Sequence, residues 1–195
     1  MEFTKIKCTD SGPSSSFDTR RELWLLTYAS NSCKLVRELC AYAMSGCCEE
    51  GDSIYTGLIN AIYVAYGRPF HWCRGIGRLV EEDLPPESIS LHNEIIHLRD
   101  RLYAHKDLDG YQVETEVFNT VKAVVIGGSI TMVSNELIPR GPKLQSISEH
   151  VEKLVEHFDS RAIALIGKLR RPNWPPDGEY ILNMDAMSDV VFEPV

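Results

Sequence analysis

The chain has 195 residues, of which 44% are apolar and 25% charged, and its formal net charge at pH 7 is −8. This composition is typical of a globular domain. The negative charge disfavours non-specific nucleic-acid binding, because affinity for the phosphate backbone comes mainly from lysine and arginine. Any RNA contact therefore has to be local, and we expect no DNA partner. No apolar run approaches the roughly 20 residues of a membrane-spanning helix, and no secretory signal is apparent, so we expect a cytoplasmic protein with no membrane partner.

The N-terminal part predicts an arm followed by one long helix. Residues 1–16 end in a Ser/Gly/Pro-rich run and are predicted to be a flexible arm. Asp18 or Thr19 is suited to cap a helix that runs to about Cys48. An apolar seam with alternating three- and four-residue spacing indicates one stripe facing a partner helix, in the same chain or in a second copy: Leu26, Ala29, Cys33, Val36, Cys40, Ala43 and Cys47.

Two further helices come next in the chain. The first is predicted from Ser53 to Tyr66 and ends at Gly67, because the proline two residues later cannot continue it. Residues 70–86 are expected to form a loop with short turns. The next helix opens at Pro85-Pro86-Glu87-Ser88 and should end near Lys106. Its apolar stripe is Leu91, Ile95, Leu98 and Leu102.

The last third of the chain predicts a hairpin, a long helix and a tail. Two β-branched segments joined by Gly127-Gly128 form a plausible hairpin within about 111–135. The long helix spans Leu144 to Leu169, and its charged stretch 149–157 is interpreted as a solvated face. The segment 172–195 has five acidic residues and no lysine or arginine, and it is predicted to be irregular. The predicted fold is mainly α, a four-helix-type bundle over 17–171 with a small hairpin inserted before the last long helix.

The six cysteines do not indicate a metal site. They contain no Cys-x-x-Cys pair, which structural zinc sites commonly use. Reduced, buried thiols fit their placement better, and we expect neither a metal nor a cofactor. Trp24, Trp72 and Trp174 are interpreted as packing residues rather than base-stacking platforms.

The segment Leu98 to Asp107 is the one candidate for chemistry. It holds Arg99, Asp100, Arg101 and His105 at the end of the third predicted helix. Histidine exchanges a proton near neutral pH, and arginine offers a planar fork of donors suited to phosphate. A structural interpretation also fits, since His105 continues the apolar stripe of its helix. On an ideal helix Arg99 and His105 lie about 120° apart, so a shared site requires a wrapped arginine, a distorted last turn or a partner subunit.

The run Arg99-Asp100-Arg101-Leu102-Tyr103-Ala104-His105 resembles the signature of the HEPN superfamily, an arginine, commonly followed by a polar residue, and a histidine a few residues later. The segment Ala65 to Phe70 is similar to a helix end in HEPN-like proteins of abortive-infection and toxin–antitoxin systems. The resemblance implies a helical homodimer in which two motifs meet in one cleft, and a metal-independent endoribonuclease with an RNA substrate and a cognate antitoxin.

The resemblance also implies residue roles. His105 would transfer protons, Arg99 would bind the phosphate, and Asp100 would orient one of them. Arg101, Tyr103 and Arg68 would be accessory, RNA-binding residues. Two alternatives stay open: a non-catalytic helical module that dimerises through the seam of the first helix, and a domain that binds a nucleotide or an RNA end without cutting it.

Overall fold

A computed structural model describes residues 15–49, 52–103, 111–113, 116–118, 120–135, 138–169, 175–185, 188 and 191–195. Within these ranges the α-helices are α1 (Ser15–Met44), α2 (Ser53–Gly67), α3 (Ile89–Leu98) and α4 (Gly141–Leu169). The predicted fold class, a mainly α bundle with a small hairpin before the last long helix, is confirmed. The predicted arm lies outside the described residues, apart from its last two residues, which begin α1. No helix in the described ranges combines the length and the apolarity needed to cross a membrane.

The strands form three antiparallel pairs: β1 (Tyr111–Val113) with β2 (Glu116–Phe118), β3 (Thr120–Ile126) with β4 (Ser129–Asn135), and β5 (Tyr180–Leu182) with β6 (Phe192–Pro194). The second pair is the predicted hairpin. Its turn residues Gly127 and Gly128 have φ of 59° and 82°, a region that glycine enters without steric cost. The β1–β2 pair and the β5–β6 pair were not expected as hairpins.

The seam of α1 is buried inside the chain. Its first six members lie in the core, and α1 packs chiefly against α4 and then against α2. The partner helix therefore belongs to the same chain. Cys47 is exposed, because α1 ends at Met44 rather than at Cys48. Gly46, with φ of 77°, takes the left-handed conformation that commonly terminates helices.

The cysteines of the described part, Cys33, Cys40, Cys47, Cys48 and Cys73, are all free thiols. Burial raises the pKa of Cys33 and of Cys40 to about 12. These two side chains are therefore neutral apolar packing residues near pH 7.

The predicted solvated face of α4 is wrong for His150. This side chain is buried, and its Nε2 lies 2.9 Å from the hydroxyl of Tyr66, which is also 2.9 Å from Nδ1 of His92. The hydroxyl thus joins α2, α3 and α4. Burial raises the pKa of Tyr66, so the hydroxyl stays protonated; it donates to one ring and accepts from the other. Helical spacing alone does not identify the tyrosine across the core.

This buried network predicts acid-sensitive stability. Burial, with smaller effects of His92 and Lys153, lowers the pKa of His150 from 6.5 to about 4. Above pH 6.5 the ring is neutral in both states. As the pH falls towards 4 the unfolded chain binds a proton that the folded chain excludes, so the free energy of unfolding falls by up to about 3 kcal/mol. Urea unfolding at pH 7 and pH 4.5 should show this loss, and His150→Gln should reduce it. The exposed His97→Gln is the control; an identical pH slope for the parent and His150→Gln would contradict the assignment.

The C-terminal segment is more ordered than predicted. The sequence predicts an irregular tail, yet β5 and β6 pair within it, and Arg20 of α1 binds the chain between them. The fully buried guanidinium of Arg20 donates to the carbonyl oxygens of Asn183 at 2.8 Å, Asp185 at 3.2 Å and Ser188 at 2.8 Å. These contacts join residues more than 160 positions apart, which explains why no local pattern indicated them.

Truncating Arg20 should therefore loosen the tail. We expect Arg20→Ala to lower the free energy of unfolding by about 2–4 kcal/mol, because three carbonyl oxygens lose the charged donor that the buried guanidinium supplies. The neighbouring Arg21 is exposed and pairs with the exposed carboxylate of Asp18 at 3.6 Å, so Arg21→Ala should change stability by less than about 0.5 kcal/mol. Chemical denaturation measures both. Equal losses for the two variants would mean that Arg20 does not hold the tail.

Candidate functional site

The predicted motif begins in a distorted turn. The α-helix α3 ends at Leu98 and continues as a π-helical turn over Arg99–Tyr103. A π turn pairs residue i with residue i+5, so it shifts the helical phase of the residues after it, and such turns are frequent at functional sites. A distorted last turn is one of the three arrangements that the sequence allows for a site shared by Arg99 and His105.

Arg99 is held in place by its neighbours. Its side chain is only 16% exposed, and Nη1 donates to Oδ1 of Asp100 at 2.6 Å. It lies so close to α2 that a Cβ at Gly67 would stand 3.1 Å from Nε of Arg99. Gly67 therefore allows the close approach, while the buried Nε has no hydrogen-bond partner among the described residues. The guanidinium is thus fixed in position although one of its donors, Nε, makes no hydrogen bond within the described part of the chain.

A cavity of about 410 Å³ opens beside Arg99. Its lining combines three arginines with a histidine and three large aromatic side chains: Arg68, Arg74, Arg99, His71, Trp24, Tyr28 and Trp72, together with Leu25, Pro69, Cys73 and Gly77. The residues come from the first half of α1, the segment after α2, and the start of the π turn. Three cationic groups at one cavity form the local basic site that an acidic chain requires for any phosphate contact.

One wall of the cavity is a tight turn. Cys73 and Gly77 exchange two backbone hydrogen bonds, of 2.9 Å and 2.8 Å. Gly75 and Gly77 have φ of 87° and 94°, which favours glycine at both positions. The turn therefore places Trp72 and Arg74 at the cavity by backbone geometry rather than by burial.

A second polar contact links this segment to the motif. Nε2 of His71 lies 3.6 Å from Oδ1 of Asp100, the same oxygen that accepts from Arg99. Asp100 thus stands between a guanidinium and an imidazole. When His71 is protonated, this contact becomes an ion pair.

The structure brings some predicted site residues together and not others. Arg99 and Arg68 line the same cavity, and Asp100 contacts Arg99. Arg101 is exposed and does not line that cavity. For Tyr103 the structure describes the backbone at the end of the π turn, and His105 lies outside the described residues.

Sequence reasoning missed the aromatic part of this cavity. Trp72, predicted to pack, is 75% exposed, and Trp24 stacks on Tyr28 with ring centroids 5.0 Å apart. The spacing of Trp24 and Tyr28, four residues apart on a helix, and the basic–aromatic run His71 to Arg74 were the available signals. Trp174 lies outside the described residues.

Metal ligands do not cluster in the described part of the chain, where no group of three or more His, Cys, Asp or Glu side chains could hold an ion. Comparison with protein-family models, with curated proteins and with solved structures finds no match for this chain. The geometry and chemistry of the cavity are therefore the basis for assigning a function.

The contact between Gly67 and Arg99 is testable by stability. Gly57 also lies on α2, and a Cβ there would meet nothing within 4 Å. Gly57→Ala should raise the free energy of unfolding by about 0.5–1 kcal/mol, the usual gain in a helix. Gly67→Ala should give no gain, because Arg99 must shift to admit the methyl group. Chemical denaturation compares the two variants; equal gains would mean that Arg99 is not held against α2.

Proposed function

We propose that this protein is a HEPN-like, metal-independent endoribonuclease of a toxin–antitoxin or phage-defence system, acting in the cytoplasm. One observation supports this most: Arg99 of the motif and Arg68, predicted separately from the sequence, line the same cavity. Two guanidinium groups that converge on one space are suited to hold a phosphodiester and to stabilise the charge that develops on it.

The proposed reaction needs only a phosphate ligand and a group that transfers protons. The RNA 2′-oxygen forms a bond to the adjacent phosphorus, and the bond from phosphorus to the 5′-oxygen breaks. The 2′-hydroxyl loses a proton and the leaving 5′-oxygen gains one, which produces a cyclic phosphate end. His105 is assigned the proton transfer and Arg99 the phosphate. Histidine suits this task because its ordinary pKa is close to the working pH.

Asp100 is assigned to orient Arg99. Its Oδ1 accepts from Nη1 at 2.6 Å, which holds the guanidinium at the cavity. The same carboxylate lies near His71, so it also limits the net positive charge of the site. Arg68 is assigned to bind RNA beside Arg99. Arg101 and Tyr103 are proposed as accessory residues from the resemblance alone.

Cleavage of RNA tests this proposal. The parent protein, incubated with a mixed RNA pool in EDTA, should leave cyclic phosphate ends. His105→Ala and Arg99→Ala should each lower the rate by about 100-fold or more, because positioned acid–base catalysis and a fixed donor each contribute on that scale. Arg78→Ala is the matched control, since Arg78 does not line the cavity. Circular dichroism confirms that each variant is folded.

Two outcomes would contradict the nuclease. Cleavage by His105→Ala at the parent's rate would remove the proposed acid–base residue. A folded parent that cuts no RNA in the pool would favour the non-catalytic module or a domain that binds RNA without cutting it. Copurification of an antitoxin with the chain from its native host tests the partner.

We also propose that the protein forms a homodimer through the β3–β4 hairpin. The α1 seam is buried within the chain, whereas Val121, Val125, Ile130 and Met132 are each more than 60% exposed. Isolated two-stranded hairpins are marginally stable, and exposed apolar patches mark interfaces. These four side chains point to the same face of the hairpin, because side chains alternate between the two faces along each strand and Val125 pairs in register with Ile130.

Light scattering tests the dimer. The parent should have twice the mass of one chain, and Val125→Lys with Ile130→Lys should give a folded monomer, because two charges would be buried without partners. Ile163→Lys is the control, since Ile163 is an exposed apolar residue of α4. A dimer that survives the hairpin substitutions would place the interface elsewhere.

A further inference from the structure

We infer that the cavity beside Arg99 binds one unpaired nucleotide of single-stranded RNA, with its base against Trp72 and the Trp24–Tyr28 stack and its phosphate at Arg68 and Arg99. The inference rests on the proposed function for the choice of RNA as ligand. It adds a base-binding subsite and a substrate class, which neither the motif nor its proposed chemistry specifies.

The aromatic residues supply a surface for a base. Trp72 is 75% exposed, and two backbone hydrogen bonds shape the turn beside it. The exposed indole of Trp72 therefore offers a ring face on which a base can stack. Trp24 and Tyr28 stack at an interplanar angle of 16° on the neighbouring wall. Aromatic platforms of this kind bind bases with little sequence preference, because every base has a π face.

The arginines supply the charge for a phosphate. Arg68, Arg74 and Arg99 line the same cavity as the aromatic side chains, and Arg74 lies in the Cys73–Gly77 turn that follows Trp72. One carboxylate, Asp100, pairs with Arg99, so positive charge remains in excess at the cavity. Aromatic and cationic groups thus line one cavity, and single-stranded nucleic acid offers such a combination a base and a phosphate.

The size of the cavity selects an unpaired nucleotide. Its volume of about 410 Å³ lies in the range of small-ligand sites rather than of an extended groove. Bases within an A-form duplex are stacked on each other, and their faces are not available to a side chain. Only a base that has left the stack can lie against Trp72.

Binding is measured without cleavage in the full chain carrying His105→Ala. The probe is a fluorescein-labelled, mixed-sequence ten-nucleotide RNA, and fluorescence anisotropy gives the dissociation constant. Trp72→Ala should weaken binding by about 5- to 100-fold, the usual effect of losing one stacked base, and Trp72→Phe should retain most of it. Arg74→Ala should weaken binding and reduce its salt dependence. Tyr42→Ala and Arg78→Ala are the controls, because both side chains are exposed and neither lines the cavity.

Two further probes separate stacking from charge. An abasic oligomer of equal length keeps the phosphates and should bind weakly whether or not Trp72 is present. The duplex form of the same RNA should bind more weakly than the single strand. The inference is overturned if Trp72→Ala binds the single strand as tightly as its parent, or if the abasic oligomer or the duplex binds equally well.

The outcomes separate this inference from the proposed nuclease. Cleavage by the chain with intact His105, together with binding that ignores Trp72, overturns the subsite and leaves the nuclease in place. Binding that depends on Trp72, together with no cleavage, supports the subsite and overturns the nuclease. Trp72 is exposed, so its truncation should leave the fold intact, and circular dichroism checks this for every variant.

Discussion

The packing of α1 against α4 is the constraint on which the rest of the structure depends. Six small or medium apolar residues of α1 lie in the core, where α1 packs chiefly against α4 and also against α2. Because the seam is buried against other helices, residues on the other faces of α1 make further contacts. Arg20 binds the C-terminal segment, while Trp24 and Tyr28 form one wall of the cavity. A single helix thus supports the core, the tail and the candidate site.

The buried hydroxyl of Tyr66 fixes the other wall. It joins His92 of α3 and His150 of α4 from the last turn of α2, so the three helices are fixed relative to one another. The next residue, Gly67, lies against Arg99, and the one after it is Arg68. Polar groups buried in a core hold their geometry because each hydrogen bond left unmade there is costly. The network thereby positions Arg68, which follows α2, and Arg99, which follows α3, at one cavity.

The candidate site is a positively charged cavity on a negatively charged chain. The whole chain has a net charge of −8, yet Arg68, Arg74 and Arg99 converge on one space. A net negative charge disfavours non-specific nucleic-acid binding, whereas a local group of arginines is where a phosphate contact would be favourable. Charge distribution rather than total charge therefore decides what this protein can bind.

Periodicity and local stereochemistry determined much of the fold. The repeat of Leu26, Ala29 and Cys33 predicted a buried stripe, the pair Gly127-Gly128 predicted a hairpin, and Gly67 predicted a helix end, since each depends on neighbours in sequence. The motif at Arg99 was equally local. Only the tertiary structure decided the contacts between distant residues: that the seam is buried within the same chain, that Arg20 binds carbonyls near the C-terminus, that His150 is buried against Tyr66, and that Trp24 and Trp72 share a cavity with Arg99. Such contacts are set by how helices pack, and no short pattern records which side chains the packing brings together.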